Sequence, residues 1–134
     1  MTQNNNIDNV EAEVKKFYYE ESDALEVETS YVNGIKQGIE KFFYRSGALE
    51  WVTPFVDGEM HGIVKNYYES GVLREETPYE HGDQHGVRKE YYPSGALYSE
   101  TPYVNGRRHG TERFYDESGN QTDSKIFAEG EQIS

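Results

Sequence analysis

The sequence predicts an all-β fold, an elongated antiparallel β-meander of stacked 24-residue β-hairpin repeats. Three observations indicate this: like residues recur at an ungapped spacing of 24, aromatic residues and glycine are abundant, and short turn signals separate the apolar runs. The 134-residue chain has 12 Tyr, 6 Phe and 13 Gly. Because each glycine in a helix interior costs about 1 kcal/mol, the recurring glycines favour strands and turns.

The repeat divides the chain into equal units. One column holds only aromatic residues: Tyr31, Phe55, Tyr79, Tyr103 and Phe127. Ser-Gly pairs recur in step at Ser46-Gly47, Ser70-Gly71, Ser94-Gly95 and Ser118-Gly119. We expect a disordered tail over residues 1–9 and a single repeat domain over 10–131. Its units are 10–30, 31–54, 55–78, 79–102 and 103–126, followed by a terminal strand over 127–131.

The Ser-Gly pairs mark the predicted hairpin loops. A three-residue loop over Arg45–Gly47, with glycine in the left-handed conformation, places Phe43 opposite Leu49. The same register predicts two oppositely charged pairs, Lys16–Glu28 and Arg88–Glu100. The Gly-x-x-x-Gly segments serve as longer return loops. Each Thr-Pro pair predicts a bulge, a bend or an unpaired stretch, because proline donates no ladder hydrogen bond.

Alternation along the strands predicts two different faces of the sheet. The odd columns predict a packed face, represented by Ile39, Phe43, Leu49, Thr53 and Phe55. The even columns predict a mixed aromatic and acidic face, represented by Tyr44, Tyr68, Tyr92, Glu50, Glu76 and Glu100.

The patterns Tyr-x-x-Gly-x-x-x-Gly and Tyr-Tyr-x-Ser-Gly-x-Leu extend over residues 16–131. In these patterns the chain resembles the bacterial MORN repeat variant family. The resemblance implies hairpin repeats that form one elongated, twisted antiparallel sheet. Many bacterial members of that family are labelled as antitoxins of toxin–antitoxin pairs, so the resemblance also implies a protein partner.

The net charge of the chain limits the classes of partner that we expect it to bind. Thirteen Lys and Arg oppose 25 Asp and Glu, giving a formal net charge of −12. Nucleic acids and anionic membranes attract clustered positive charge, so neither is expected as a direct partner. A basic protein is the expected partner. The absence of cysteine, of an apolar run long enough to span a membrane and of a signal peptide predicts a cytoplasmic protein.

No motif predicts an enzyme, a cofactor or a metal site. His61, His85 and His109 recur one repeat apart, which on a sheet is roughly 10 Å and too far for a shared zinc ion. They are interpreted as turn residues. The glycine-rich loops precede no helix that could receive a phosphate.

The mixed aromatic and acidic face is the candidate binding surface. Tyrosine and tryptophan supply rigid contact area at protein interfaces. The candidate partner-binding residues are Tyr44, Tyr68, Tyr92, Glu50, Glu76, Glu100, Trp51 and Tyr98. We expect a non-catalytic module that neutralises a basic toxin or nuclease. Two alternatives stay open: the tyrosine ladder only joins neighbouring hairpins, or the chain is a structural scaffold that self-associates through its terminal strands.

Overall fold

The computed structural model describes residues 10–134, which form one antiparallel sheet of 14 strands with no helix in that range. The strands are β1 Ala12–Tyr18, β2 Leu25–Val32, β3 Ile35–Phe43, β4 Leu49–Val56, β5 Glu59–Met60, β6 Gly62–Tyr67, β7 Leu73–Glu80, β8 Asp83–Gln84, β9 Gly86–Tyr91, β10 Leu97–Val104, β11 Arg107–Arg108, β12 Gly110–Tyr115, β13 Gln121–Ala128 and β14 Glu131–Gln132. Neighbours in sequence pair in space, so the predicted all-β meander is confirmed. The expected tail over residues 1–9 lies outside the described residues.

The hairpin turns lie where the Ser-Gly pairs predict them. The Tyr44 N–H donates to the Ala48 carbonyl at 2.8 Å, which closes a loop over Arg45–Gly47. Phe43 is paired with Leu49 as predicted. The predicted pair Lys16–Glu28 is confirmed, with Nζ 3.8 Å from a glutamate oxygen.

A β-bulge follows each of these turns and changes the register. After the pair Phe43–Leu49, the next pair is Phe42–Trp51, so Glu50 is an extra residue without a partner of its own. The prediction that Arg88 faces Glu100 is therefore wrong. Arg88 pairs with Thr101, and Glu100 pairs with Lys89 on one side and Arg113 on the other.

The bulge also redistributes the side chains between the two faces. Directly paired residues share a face in an antiparallel sheet, and the pairs define one row across it: Thr29, Glu40, Thr53, Val64, Thr77, Arg88, Thr101, Glu112 and Lys125. We call this side the threonine face and the opposite side, with Pro54, Pro78 and Pro102, the proline face. The predicted packed face is wrong: Ile39 lies on the proline face, whereas Thr53 and Phe55 lie on the threonine face.

The return loops are tighter than predicted. Asn33 (φ 51°) and Gly34 (φ 80°) form a two-residue turn between β2 and β3, and equivalent Asx-Gly, His-Gly and Glu-Gly turns follow. The sheet is interrupted opposite each Thr-Pro pair, as predicted. There, a glycine with positive φ passes close to the proline ring: a Cβ on Gly86 would lie 2.7 Å from Pro78 Cγ.

The sheet has no second layer and therefore almost no apolar core. Among residues 10–134, the buried apolar side chains are Val64 and Phe127. The most buried side chains are polar: Thr101 is 1% exposed and Ser99 is 2% exposed. Stability in such an array comes from contacts between neighbouring hairpins.

The turns lie along two opposite sides of the sheet, and side chains on both of these sides join neighbouring hairpins. On the Ser-Gly side, which we call the tyrosine rim, four tyrosine hydroxyls donate to backbone carbonyls of the next hairpin. They belong to Tyr19, Tyr44, Tyr68 and Tyr92. On the opposite side, the histidine rim, backbone N–H groups donate to side-chain atoms of Gln37, His61, His85 and His109.

Candidate protein-binding surface

The structure brings six of the eight candidate residues to the tyrosine-rim side of the sheet. Tyr44, Tyr68 and Tyr92 follow the long strands, Glu50 and Tyr98 occupy bulge positions, and Trp51 lies on the threonine face. Glu76 and Glu100 belong to a row on the proline face and are not part of this cluster.

The three candidate tyrosines have a structural role in the hydrogen bonding of the sheet. Their hydroxyls donate to the carbonyls of Tyr67, Tyr91 and Tyr115 at 2.6, 2.7 and 2.7 Å. This contact is the one expected if the tyrosine ladder joins hairpins. It also holds each ring in a fixed position at the rim, with the ring partly exposed.

A fourth rim tyrosine, Tyr19, does not follow from the sequence spacing. Its hydroxyl donates to the Phe43 carbonyl, so it occupies the position of Tyr44, although it is 25 residues and not 24 from it in sequence. The first turn contains one extra residue, because Tyr19 N–H reaches Ala24 where Tyr44 N–H reaches Ala48. An ungapped alignment places Tyr19 in the wrong column.

The tyrosine rim is negatively charged. Burial raises the pKa of Tyr19 and of Tyr44, and the nearby carboxylate of Glu50 raises both further. Glu69 acts on both rings in the same direction. Burial is also the main cause of the raised pKa of Tyr92. Such a surface favours a cationic partner.

Trp51 ends an apolar run across the threonine face. Direct pairs connect Phe17 to Val27, Val27 to Phe42 and Phe42 to Trp51. A shallow depression beside this run is lined by Phe42, Glu50, Trp51 and Thr53. Aromatic side chains beside a carboxylate can contact the aliphatic and cationic parts of a lysine or arginine.

Tyr98 forms a second aromatic group at the other end of the rim. Its ring is edge-on to Tyr92, with centroids 5.2 Å apart, and lies 5.7 Å from Phe114. The side chain is 38% exposed. Tyr98 stands at the bulge position of its hairpin, where other repeats carry Glu50 and Arg74, so the ring projects beside the tyrosine rim.

Between the two aromatic groups lies a polar cluster on the threonine face. Glu75 and Glu90 are directly paired, and Arg88 forms an ion pair with each of them, with guanidinium contacts of 2.6 and 3.0 Å. Asn66, which pairs with Glu75, is 4% exposed, and its Oδ1 accepts no hydrogen bond from any described residue. These residues fill the centre of the face without forming a deep cavity.

Glu76 and Glu100 belong to an alternating row of charges on the proline face. The row runs through Lys16, Glu28, Lys41, Val52, Lys65, Glu76, Lys89, Glu100, Arg113 and Ser124. The carboxylates also accept hydrogen bonds from Tyr91 and Tyr115 at 2.9 and 2.8 Å. Both glutamates thus have partners within the sheet.

The sheet has a further exposed surface that the sequence did not predict. The proline face carries a stripe of apolar side chains near the histidine rim, each 39–52% exposed: Ile35, Ile39, Val56, Ile63, Val87, Val104 and Ile126. Exposed apolar stripes of this kind are typical of contact surfaces. The alternating pattern of the sequence predicts apolar residues such as Ile39 on a packed face, but a single-layer sheet packs neither face.

The expectation that the recurring histidines are turn residues is wrong: each lies on the histidine rim in the one-residue break between a two-residue strand and the strand that follows. His61, His85 and His109 each accept a backbone N–H at Nδ1, at 3.2–3.3 Å. Within residues 10–134, no three His, Asp or Glu side chains converge into a group that could hold a metal ion. Over the same range, no helix is long and apolar enough to cross a membrane.

Comparison with known proteins supports the repeat assignment. The family model described as MORN repeat variant matches three consecutive segments, residues 60–81, 84–105 and 108–120. No curated protein matches the sequence. The crystal structure of TarM is similar, with a TM-score of 0.48 and 11% identity, over 90% of this chain and 20% of the TarM chain. The chain thus spans about one fifth of the length of the TarM chain. The family match over three consecutive segments supports the assignment of these repeats to the MORN repeat family.

Proposed function

We propose that the chain is a non-catalytic protein-binding module that neutralises a basic toxin or nuclease, as antitoxins and immunity proteins do. The observation that supports this most is the cluster of carboxylates around fixed, partly exposed tyrosine rings at the tyrosine rim. A cytoplasmic location is part of the proposal, because a chain without cysteine needs no oxidising compartment in which to form disulfides.

Charge supplies the first step of this binding. The turns and adjacent bulges of the tyrosine rim carry more acidic than basic residues, and the acidic ones include Glu20, Glu21, Asp23, Glu26, Glu50, Glu69, Asp116 and Glu117. A negative surface attracts a positively charged cleft over a distance of roughly 10 Å at moderate salt and raises the association rate. A nuclease presents such a cleft to its nucleic acid.

Aromatic contacts supply the second step. Trp51 lies beside Glu50, and Tyr98 is held between the rings of Tyr92 and Phe114 at the other end of the rim. Because these side chains are already ordered, little conformational entropy is lost when a partner packs on them. We include Tyr44, Tyr68, Tyr92, Glu50, Trp51 and Tyr98 in the proposed contact. Glu76 and Glu100, on the opposite face, are left out of it.

The test begins with the unaltered chain as bait in an extract of its native host at low salt. A captured basic protein is then purified, and its affinity is measured by calorimetry for three forms of the chain. These are the wild type, the rim variant Glu50→Lys/Glu69→Lys and the control Glu59→Lys/Glu80→Lys on the histidine rim. Both variants change the net charge equally. We expect the rim variant to bind about tenfold more weakly or worse, and the control to change by about twofold at most.

Equal weakening by both variants would show attraction by net charge alone and contradict a specific rim site. Neutralisation is tested by co-expression: the wild-type chain should protect cells from the captured protein, and the rim variant should protect them less. Capture of no basic protein, or protection that the rim variant retains in full, would contradict the proposed function.

The second candidate is a structural scaffold that self-associates and inhibits nothing. The observation in its favour is the terminal strand β1, whose side chains are all exposed. A scaffold would form larger assemblies with rising concentration and would need no basic partner. Sedimentation of the purified chain over a concentration series separates the two candidates by mass: growth beyond two chains favours the scaffold, whereas a species of one or two chains favours the binding module.

A further inference from the structure

We infer that the outer edge of β1 pairs with β1 of a second copy of the chain, which extends the sheet across a two-fold axis. The observations are the orientation of the unpaired backbone groups, the charges along the strand and the exposed apolar side chains. This inference is independent of the tyrosine rim. The rim follows the Ser-Gly turns across the sheet, whereas the inferred contact lies along the terminal strand β1.

The backbone of β1 has one free side. Glu11 directs its carbonyl toward β2, where it accepts the Asn33 N–H at 2.8 Å. The Glu11 N–H also points to β2, because it donates to the Asn33 side chain at 2.9 Å. Backbone groups alternate along an antiparallel strand, so those of Ala12, Val14 and Lys16 point away from the sheet. Among the described residues, no strand pairs with that side.

The strand lacks two of the features by which proteins protect a free edge, although it carries charged side chains. It contains no proline, and its bulge lies at the far end, between Phe17 and Tyr18. Val14 is 55% exposed and Phe17 is 56% exposed. An edge strand of seven residues with exposed apolar side chains and neither a proline nor a central bulge is a template for pairing with another strand.

The charges of β1 suit a second copy of itself. The whole chain has a net charge of −12, but along β1 Glu13 is followed by Lys15 and Lys16. A two-fold axis perpendicular to the sheet keeps each face on the same side. It can therefore pair even-numbered residues only with even-numbered ones, and odd-numbered with odd-numbered.

One register satisfies the backbone and the charges together. With Val14 opposite Val14 of the second copy, Ala12 faces Lys16, and these outward-pointing residues form about six hydrogen bonds. The same register places Glu13 opposite Lys15 of the second copy, twice across the axis. These two are the closer, non-hydrogen-bonded pairs, in which side chains interact most strongly. A shift by two residues would instead place Lys15 opposite Lys15.

The test is a charge swap measured by sedimentation equilibrium of the full chain over a concentration series. We expect the wild type to reach the mass of two chains. Glu13→Lys and Lys15→Glu should each weaken the dimer about tenfold, because each places like charges opposite one another twice. The double variant Glu13→Lys/Lys15→Glu should restore the wild-type dissociation constant within about threefold, since it recreates both opposite-charge pairs.

A second variant tests the backbone pairing. Val14→Pro removes an N–H that points away from β2, so the pairing of β1 with β2 keeps its hydrogen bonds while the dimer loses two at its centre. We expect this variant to be monomeric with an unchanged circular dichroism spectrum. A wild type that is monomeric at all concentrations, a double variant that stays as weak as the single ones, or a dimeric Val14→Pro would each overturn the inference.

Discussion

The two rims of the sheet join neighbouring hairpins through side chains with opposite hydrogen-bonding roles. At the tyrosine rim a side chain donates: the Tyr68 hydroxyl reaches the Tyr91 carbonyl at 2.7 Å. At the histidine rim a side chain accepts: His85 Nδ1 receives the Asn105 N–H at 3.3 Å. The histidine rim has a second link, because the Gly106 N–H donates to the Gln84 carbonyl at 2.8 Å. The tyrosine rim therefore depends more on its side chains.

The largest expected difference between the rims is in the free energy of unfolding that is lost when a glycine is replaced by alanine. Gly86 near the histidine rim has φ +120°, and a Cβ there would lie 2.7 Å from Pro78. Gly47 at the tyrosine rim has φ +94° and open space around it. We expect Gly86→Ala to lower the free energy of unfolding by about 3 kcal/mol and Gly47→Ala by about 1 kcal/mol. Urea unfolding measures both, and equal losses would show that the proline contact is not restrictive.

Alkaline pH should weaken the hydrogen bond that the Tyr91 hydroxyl donates to Glu76. Burial and a hydrogen bond to Glu76 raise the pKa of Tyr91 from 10.0 to about 12. A raised folded-state pKa means that this stabilisation is complete below pH 10 and is lost as the pH rises through about 12. We expect a loss on the order of 1 kcal/mol, since the ring is partly solvated. Urea unfolding at stepwise higher pH measures it, and Tyr91→Phe should reduce the dependence.

Loss of a single rim hydroxyl should have a measurable effect. Tyr68→Phe leaves the Tyr91 carbonyl without its side-chain donor, and we expect the free energy of unfolding to fall by about 1 kcal/mol. The matched control is Tyr98→Phe, whose hydroxyl makes no hydrogen bond to any described residue, and we expect a change below about 0.5 kcal/mol. Similar losses in both variants would contradict a linking role for the rim tyrosines.

The smallest effect is expected at the histidine rim. His85→Leu removes the acceptor for the Asn105 N–H, but the neighbouring backbone bond stays, so we expect a loss of about 0.5 kcal/mol. His85→Gln should recover most of it, because Gln37 already accepts the Asp57 N–H at 2.7 Å. If glutamine is no better than leucine in urea unfolding, the side-chain acceptor has no role.

The sequence predicted the repeat, the hairpins and the pairs next to each Ser-Gly turn, because turn chemistry and aromatic spacing act locally. It did not predict the bulge at Glu50, since an extra residue in one strand leaves the spacing of 24 intact. One residue is enough to move every later side chain to the other face. This is why Leu49 and Thr53, both predicted on one packed face, lie on opposite sides.

The sequence predicted the positions of the candidate binding residues only where a local repeat pattern determines them. The tyrosine column was visible, but the additional member Tyr19 was not, because its turn is one residue longer. The exposed stripe that includes Ile63 and Val87 was also missed. Whether an apolar face is covered depends on a second layer, and no spacing of residues within a single sheet reveals that.

The equivalence of the links at each rim bears on how such a chain can change its length during evolution. If the 24 residues from Arg45 to Tyr68 were lost, Tyr44 would meet the Tyr91 carbonyl in place of the Tyr67 carbonyl. Gene duplication or deletion in whole units would thus create no unmatched junction. Between Tyr44 and Tyr115, deletions other than whole units would misplace donors and acceptors on both sides, so the genetic unit and the mechanical unit coincide there.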